Sequence, residues 1–373
     1  MKGAPLSALM PILASSLRLG RLDPGVLILC LSIATIGLVI LNSASEGNDG
    51  LVLRQASRLA IGFLALWVCA QIPPSWLERF APHLYLLSLF PLVLVLLVGE
   101  GRGAERWLDL GLLRFQPSEL AKFTVPLACA WLLARAGIPP GWGALLGCFA
   151  MILPPVLMIQ LQPDLGTAIL VGLAGLAVVF LAGLSWRRIL LLAALGLAAI
   201  PASWPFLHEY QKMRIRTLFA PDADPLGHGW NTIQALTAVG SGGLTGKGFG
   251  QGTQAHLAFL PEHTTDFAFA VLAEEFGFVG VALSLLLYFA LGLRILWLAM
   301  GAPSPFGRLL VGALGVSFLL HVSVNAAMVA GLIPVVGVPM PLLSYGGTIA
   351  VTMMASFGVA MSLSVRARRP RVP

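Results

Sequence analysis

The sequence predicts an all-α polytopic integral membrane protein of about ten transmembrane helices, with one large extracytoplasmic loop between helices 7 and 8. Three observations carry that reading. Only 10% of the 373 residues are charged, against about 25% in soluble domains. Hydrophobic residues make up 58%, and mean hydropathy is +0.89. The apolar residues also gather into runs of about 20, the length that crosses a bilayer. Such a chain is not a string of globular domains.

In chain order, residues 1–22 hold a short apolar patch followed by Arg18 and Arg21. That patch is too short to span, so a cytoplasmic or interfacial leader is expected and not a cleaved signal peptide. A single transmembrane domain over 23–365 follows. Its spans are expected at roughly 24–42, 53–71, 81–99, 117–135, 141–159, 164–184, 188–206, 266–298, 307–333 and 347–365. Pro154-Pro155 predicts a kink in the fifth, and the eighth and ninth are long enough to tilt or protrude. Residues 208–265 form the long polar loop, and 366–373 a basic cytoplasmic tail.

Basic residues orient the bundle. With the N-terminus inside, Arg79, Arg135, Arg187, Arg188, Arg294, Arg308 and the tail arginines share the cytoplasmic side, while Arg54, Arg58, Arg102, Arg106 and Arg114 fall outside. Both termini are thus expected in the cytoplasm, with the long loop outside. The net charge of +7 reads as a bilayer partner. Nucleic acid is not expected, since basic–aromatic interleaving is missing. Cys30, Cys69, Cys129 and Cys148 sit in apolar runs and read as small buried residues. The six histidines lack metal-ligand spacing.

The fourth, sixth, eighth and tenth spans then start at the outer surface. The first three of these carry a carboxylate at their opening: Glu119, Asp164 and Asp266. Helix N-termini stabilise negative charge, and a carboxylate kept anionic beside lipid can serve as a general base. The competing reading of Asp266 and Asp164 is helix capping. Pro117 and Pro163 read as first-turn residues. Glu119 stands three residues before Lys122, which makes the pair either part of a polar groove or a structural ion pair.

Within the long loop, Lys212, Arg214 and Arg216 suggest a short surface helix, and 230–240 a second. Then follows Ser241-Gly242-Gly243-Leu244-Thr245-Gly246-Lys247-Gly248-Phe249-Gly250-Gln251-Gly252. Consecutive glycines can form an anion-binding nest, with Lys247 adding a charge. A flexible connector would have the same composition. Walker A spacing fails at Ser241 and Gly248. A lipid-linked pyrophosphate is the ligand that best suits this loop beside acidic helix starts.

Long motifs now carry a resemblance. They are Arg106-Trp107-Leu108 through Gln116-Pro117-Ser118-Glu119-Leu120-Ala121-Lys122, then Gln162-Pro163-Asp164-Leu165-Gly166-Thr167, then Gly227 to Gly252. Leu260-Pro261-Glu262 through Asp266-Phe267, Ala273-Glu274-Glu275-Phe276-Gly277, and Pro334 through Gly347 complete them. From about Asp23 to Ser364 the chain resembles the shape, elongation, division and sporulation (SEDS) family, on the elongation side more than the division side.

The resemblance implies a peptidoglycan glycosyltransferase that joins the disaccharides of lipid II by β-1,4 bonds, inverting the donor carbon and releasing undecaprenyl pyrophosphate. It implies Asp266 as the essential acidic residue, assigned here as catalytic base. The candidate substrate-binding residues are Lys122, Glu119, Asp164, Arg54, Arg106, Lys247, Glu262 and Ser344. No cofactor is required by this reading, and a divalent cation, Mg²⁺ or Mn²⁺, stays open. Expected partners are lipid II, the nascent glycan strand, a class B penicillin-binding protein and the rod elongation complex. Two rival functions stand beside the enzyme: a lipid II flippase, and a non-catalytic scaffold for the penicillin-binding protein.

Overall fold

The computed structural model describes residues 21–45, 47–98, 106–109, 114–207, 209–220, 229–256 and 263–364. Most of the expected leader, Glu262 and the basic tail lie outside the described residues. Helices stand on all ten expected runs. They are α1 (Pro24–Ala44), α2 (Asp49–Gln71), α3 (Pro74–Val98), α4 (Pro117–Ala136), α5 (Trp142–Leu161), α6 (Leu165–Leu181) and α7 (Trp186–Ser203). After the long loop's α8 (Glu209–Phe219), α9 (Trp230–Ser241) and α10 (Thr253–His256) come α11 (Ala268–Gly301), α12 (Pro305–Val329) and α13 (Gly347–Ser364). Among the described residues, α1, α2, α3, α5, α11, α12 and α13 are long and apolar enough to cross a membrane, and α6 is a shorter apolar helix. One departure from an all-helical chain is a two-residue hairpin, β1 (Leu108–Asp109) against β2 (Arg114–Phe115).

The helix starts follow local rules. Asp23 caps α1, accepting from Val26 N at 3.0 Å, and Pro24 opens the first turn. Ser304 caps α12 through Gly307 N at 3.0 Å. Pro117 opens α4 as expected, whereas Pro163 lies outside α6, just before its cap, Asp164. Side-chain and backbone contacts then lock the bundle, because lipid supplies no hydrophobic drive between helices. Tyr288, Phe318 and Phe357 stack from α11, α12 and α13 with centroids 6.0 and 5.3 Å apart.

Two features depart from ten plain spans. The helical run of α11 breaks at Gly277, whose φ of 62° and ψ of −161° are non-helical. There the glycine-rich segment inserts: Lys247 N and Gly248 N donate to the carbonyls of Glu274 and Glu275, both at 3.0 Å, while Phe278 N and Val279 N donate to Gly243 O and Leu244 O at 2.9 and 3.1 Å. Backbone groups released by a break inside hydrocarbon must find protein partners, and the loop supplies them. Only glycine fits at Gly246, where φ is +81° and an added β-carbon would collide with Glu275 O. Part of the long loop is therefore a re-entrant latch. The expected anion nest does not form at 246–248, because those N–H groups are committed within the fold. The second feature is α7, which has no extended packing against another described helix.

Candidate active site

One loop, residues 334–346, collects contacts from five helices and leads directly into a sixth. From α12, His321 and Asn325 stand four residues apart on one face. His321 Nε2 lies 3.1 Å from Pro339 O. Asn325 Nδ2 donates to Val338 O at 2.7 Å and to Asp266 O at 3.0 Å. From α6, Gly166 abuts the loop so closely that a β-carbon would lie 2.6 Å from Val336 O. From α2, Gln55 donates to Ser344 O at 3.2 Å and accepts from Gly346 N at 3.3 Å, and the Arg58 guanidinium lies 4.5 Å from the Tyr345 ring centroid. The Tyr288 hydroxyl of α11 donates to Pro341 O at 2.6 Å. At Gly37, α1 meets the backbone of Leu342 and Leu343, and α13 follows directly at Gly347. Tyr345 N donates to Thr264 O at 2.8 Å, which closes the loop onto the segment that carries Asp266.

Asp266 is half-buried, one residue before the cap position of α11 at Phe267. Its backbone is gripped by Asn325, and its Oδ2 faces the loop: a β-carbon added at Gly337 would lie 3.6 Å away. The carboxylate thus rests on a fixed shelf where an apolar helix begins.

Glu119 and Lys122 form a short ion pair, Oε1 to Nζ 2.7 Å, and Thr352 Oγ1 of α13 approaches Glu119 Oε2 at 3.5 Å. Both side chains are turned away from lipid, 5% and 11% exposed. Lys122 lies within electrostatic reach of His321, so this pair borders the α12 face that holds the loop. Asp164 is a helix cap, accepting from Thr167 N at 3.2 Å, and it does more. Gln116 Nε2 donates to its Oδ2 at 3.2 Å, and an Arg106 nitrogen lies 3.8 Å from its Oδ1. Arg106 also donates to Gln162 O at 3.2 Å and to Pro163 O. The starts of α6 and α11 both meet this loop, and Gln116, at the cap of α4, joins Asp164 at the start of α6, so the three share one end of the bundle.

The other candidates are placed differently. Arg54 is exposed on α2. Ser344 is buried, and its hydroxyl accepts from Met340 N at 3.0 Å, holding the loop's own turn. Lys247 points to the fully buried Glu274 at 2.6 Å, where Thr253 N and Gln254 N also donate, at 2.9 and 3.2 Å. Among the described residues, no three His, Cys, Asp or Glu side chains gather as a cation-binding set. Reading the sequence missed Asn325, His321 and Gln55 as organisers. Their signal was present, since uncharged polar side chains in otherwise apolar spans must find partners.

Comparisons with known proteins establish the family to which this bundle belongs. The chain is 47% identical over 345 residues to the peptidoglycan glycosyltransferase MrdB of Escherichia coli, covering 92% of this chain and 93% of that one. It is 38% identical to the protein of the same name in Helicobacter pylori, covering 85% and 84%. Among solved structures, a chain of a peptidoglycan synthase complex that coordinates polymerization and crosslinking superposes with a TM-score of 0.80 at 36% identity, covering 92% of this chain and 97% of that one. The rod shape determining protein RodA of Thermus thermophilus gives 0.69 at 35% identity, covering 91% and 95%. The family model described as cell cycle protein, FtsW/RodA/SpoVE, matches residues 24–369, and the chain belongs to that family.

Proposed function

We infer that this chain is a peptidoglycan glycosyltransferase of the rod-elongation type and that Asp266 is its general base. Kinship to enzymes of that name over nine-tenths of the chain supports the activity. The placement of Asp266, half-buried against Gly337 and anchored by Asn325, carries the mechanistic reading. The substrate is lipid II. Asp266 takes the proton from the 4-hydroxyl of the acceptor N-acetylglucosamine as that oxygen attacks the anomeric carbon of the donor N-acetylmuramic acid. The bond from that carbon to pyrophosphate breaks, undecaprenyl pyrophosphate leaves with the electron pair, and the new β-1,4 linkage has inverted configuration. Lys122, positioned by Glu119, and Arg106, positioned by Asp164, stabilise the leaving anion.

The site lies on the extracytoplasmic side, and both termini lie in the cytoplasm. The basic residues at the opposite helix ends support that orientation. The structural neighbour from a synthase complex supports assembly with a crosslinking partner, a class B penicillin-binding protein.

The test is polymerisation of labelled lipid II by the purified chain with its transpeptidase partner, for wild type and Asp266→Asn. The variant should lose roughly 10²–10⁴-fold in rate, as general-base removal does, with complex formation and thermal unfolding unchanged. Glycan strands of normal length and rate from a folded Asp266→Asn protein would remove the base assignment. Lipid II translocation without polymer from the wild-type chain would favour a transporter.

A further inference from the structure

The end of the bundle opposite the candidate site carries a second concentration of charge. Arg135 closes α4, and Arg187 and Arg188 open α7. Between Glu119 and Glu209 the sequence has a single acidic residue, Asp164, and that one sits at the other end. Among the described residues no carboxylate pairs with these three arginines. Rings hold two of them instead. The Arg135 guanidinium lies 4.5 Å from the Trp131 ring centroid, and that of Arg188 lies 5.2 Å from Trp142 while donating to Pro140 O. Stacking fixes a guanidinium without neutralising it. Arg294 makes the contrast, since Asp23 neutralises it at 2.7 Å.

The surroundings are those of a membrane boundary. Trp142 is 51% and Trp186 76% exposed, each in the first turn of its helix, and tryptophan is enriched at headgroup depth. Above them α7 is apolar and uncovered around its circumference, with Leu190 and Leu197 well exposed on one face and Leu195 on another. Positive charge at the boundary leads directly into an apolar surface, which is the pattern of a phospholipid and its headgroup. An acidic soluble partner would match the charge but not the leucine flank.

We propose that Arg135, Arg187 and Arg188, with Trp142 and Trp186, bind the headgroup phosphate of an anionic phospholipid whose acyl chains lie along α7. The lipid then does for α7 what helix packing does for the other spans. The site is separate from the glycosyl-transfer residues, so its loss and the loss of polymerisation are independent readouts.

The experiment is native mass spectrometry of the full-length protein in detergent, equilibrated with equal amounts of phosphatidylglycerol and phosphatidylcholine of identical chains. The wild type should retain phosphatidylglycerol preferentially, and added salt should weaken the preference. The triple variant R135Q/R187Q/R188Q should retain about 10²-fold less phosphatidylglycerol, about five-fold for each removed charge, with phosphatidylcholine unchanged. Arg187→Gln alone changes an exposed side chain, leaves the fold intact and should give a smaller loss in the same direction. Equal retention of the two lipids by wild type, or an undiminished preference in Arg187→Gln and the folded triple variant, overturns the proposal. Displacement of the lipid by inorganic phosphate, but not by sodium chloride at the same ionic strength, would overturn it too, in favour of a simple anion site.

Discussion

Asn325 shows how much one side chain can carry. Its amide nitrogen joins Val338 O, in the loop, to Asp266 O, at the start of α11. Asn325→Ala leaves two carbonyls without this donor in a low-dielectric setting. Such losses destabilise by about 1–3 kcal/mol, which thermal unfolding of the purified protein would register. Because Asp266 loses its anchor, the turnover rate for lipid II should fall more than its KM rises. A variant with wild-type turnover would show that Asp266 is held by other means. At this scale the sequence was partly legible. Charge at a helix mouth marked Glu119, Asp164 and Asp266, and the Asp164 cap is observed. Asn325 and Gln55 escaped notice because their partners are carbonyls contributed by distant chain, and carbonyls have no sequence signature.

Among the elements, α11 was the least readable. Its apolar run predicts one long helix, and no local pattern reveals that the ladder opens at Gly277. The repair comes from residues about 30 positions earlier, whose glycines equally suited a nest or a slack connector. Lys247 is informative here. Its ammonium meets the fully buried Glu274 at 2.6 Å and is itself 28% exposed. Removing one partner of a buried pair costs about 3–5 kcal/mol, and the partial exposure puts Lys247→Met near 3. Adding Glu274→Gln to Lys247→Met should recover part of that loss, because the stranded charge is gone. A double-mutant cycle on unfolding stability checks this, and a coupling near zero would deny the latch its electrostatic role.

At the scale of the whole molecule, a helix stands on each of the ten apolar runs, because a bilayer solvent dictates their length and surface. Hydropathy could not find the loop that binds them together, since loop contacts depend on three-dimensional approach. On the far side a single ion pair joins the first helix to α11: Arg294 reaches both carboxylate oxygens of Asp23, at 3.0 and 2.7 Å. Burial raises the Asp23 pKa, but the Arg294 hydrogen bond and the Val26 N–H lower it by more, so the net value lies below its ordinary 3.8. A depressed carboxyl stabilises the fold above the unfolded pKa, and that contribution disappears as pH falls through the lower folded value. Unfolding temperatures of wild type and Asp23→Asn should therefore differ at neutral pH and converge as the medium is acidified through the carboxylate range and past the lowered folded-state value. Parallel curves would dismiss the linkage. The break at Gly277 has a mechanical meaning at this scale. It lies about 14 Å along the axis from the start of α11, and its amide ladder is spliced into the long loop that precedes α11. A displacement of that loop is therefore delivered to the joint inside α11, and the helix answers as two jointed rods.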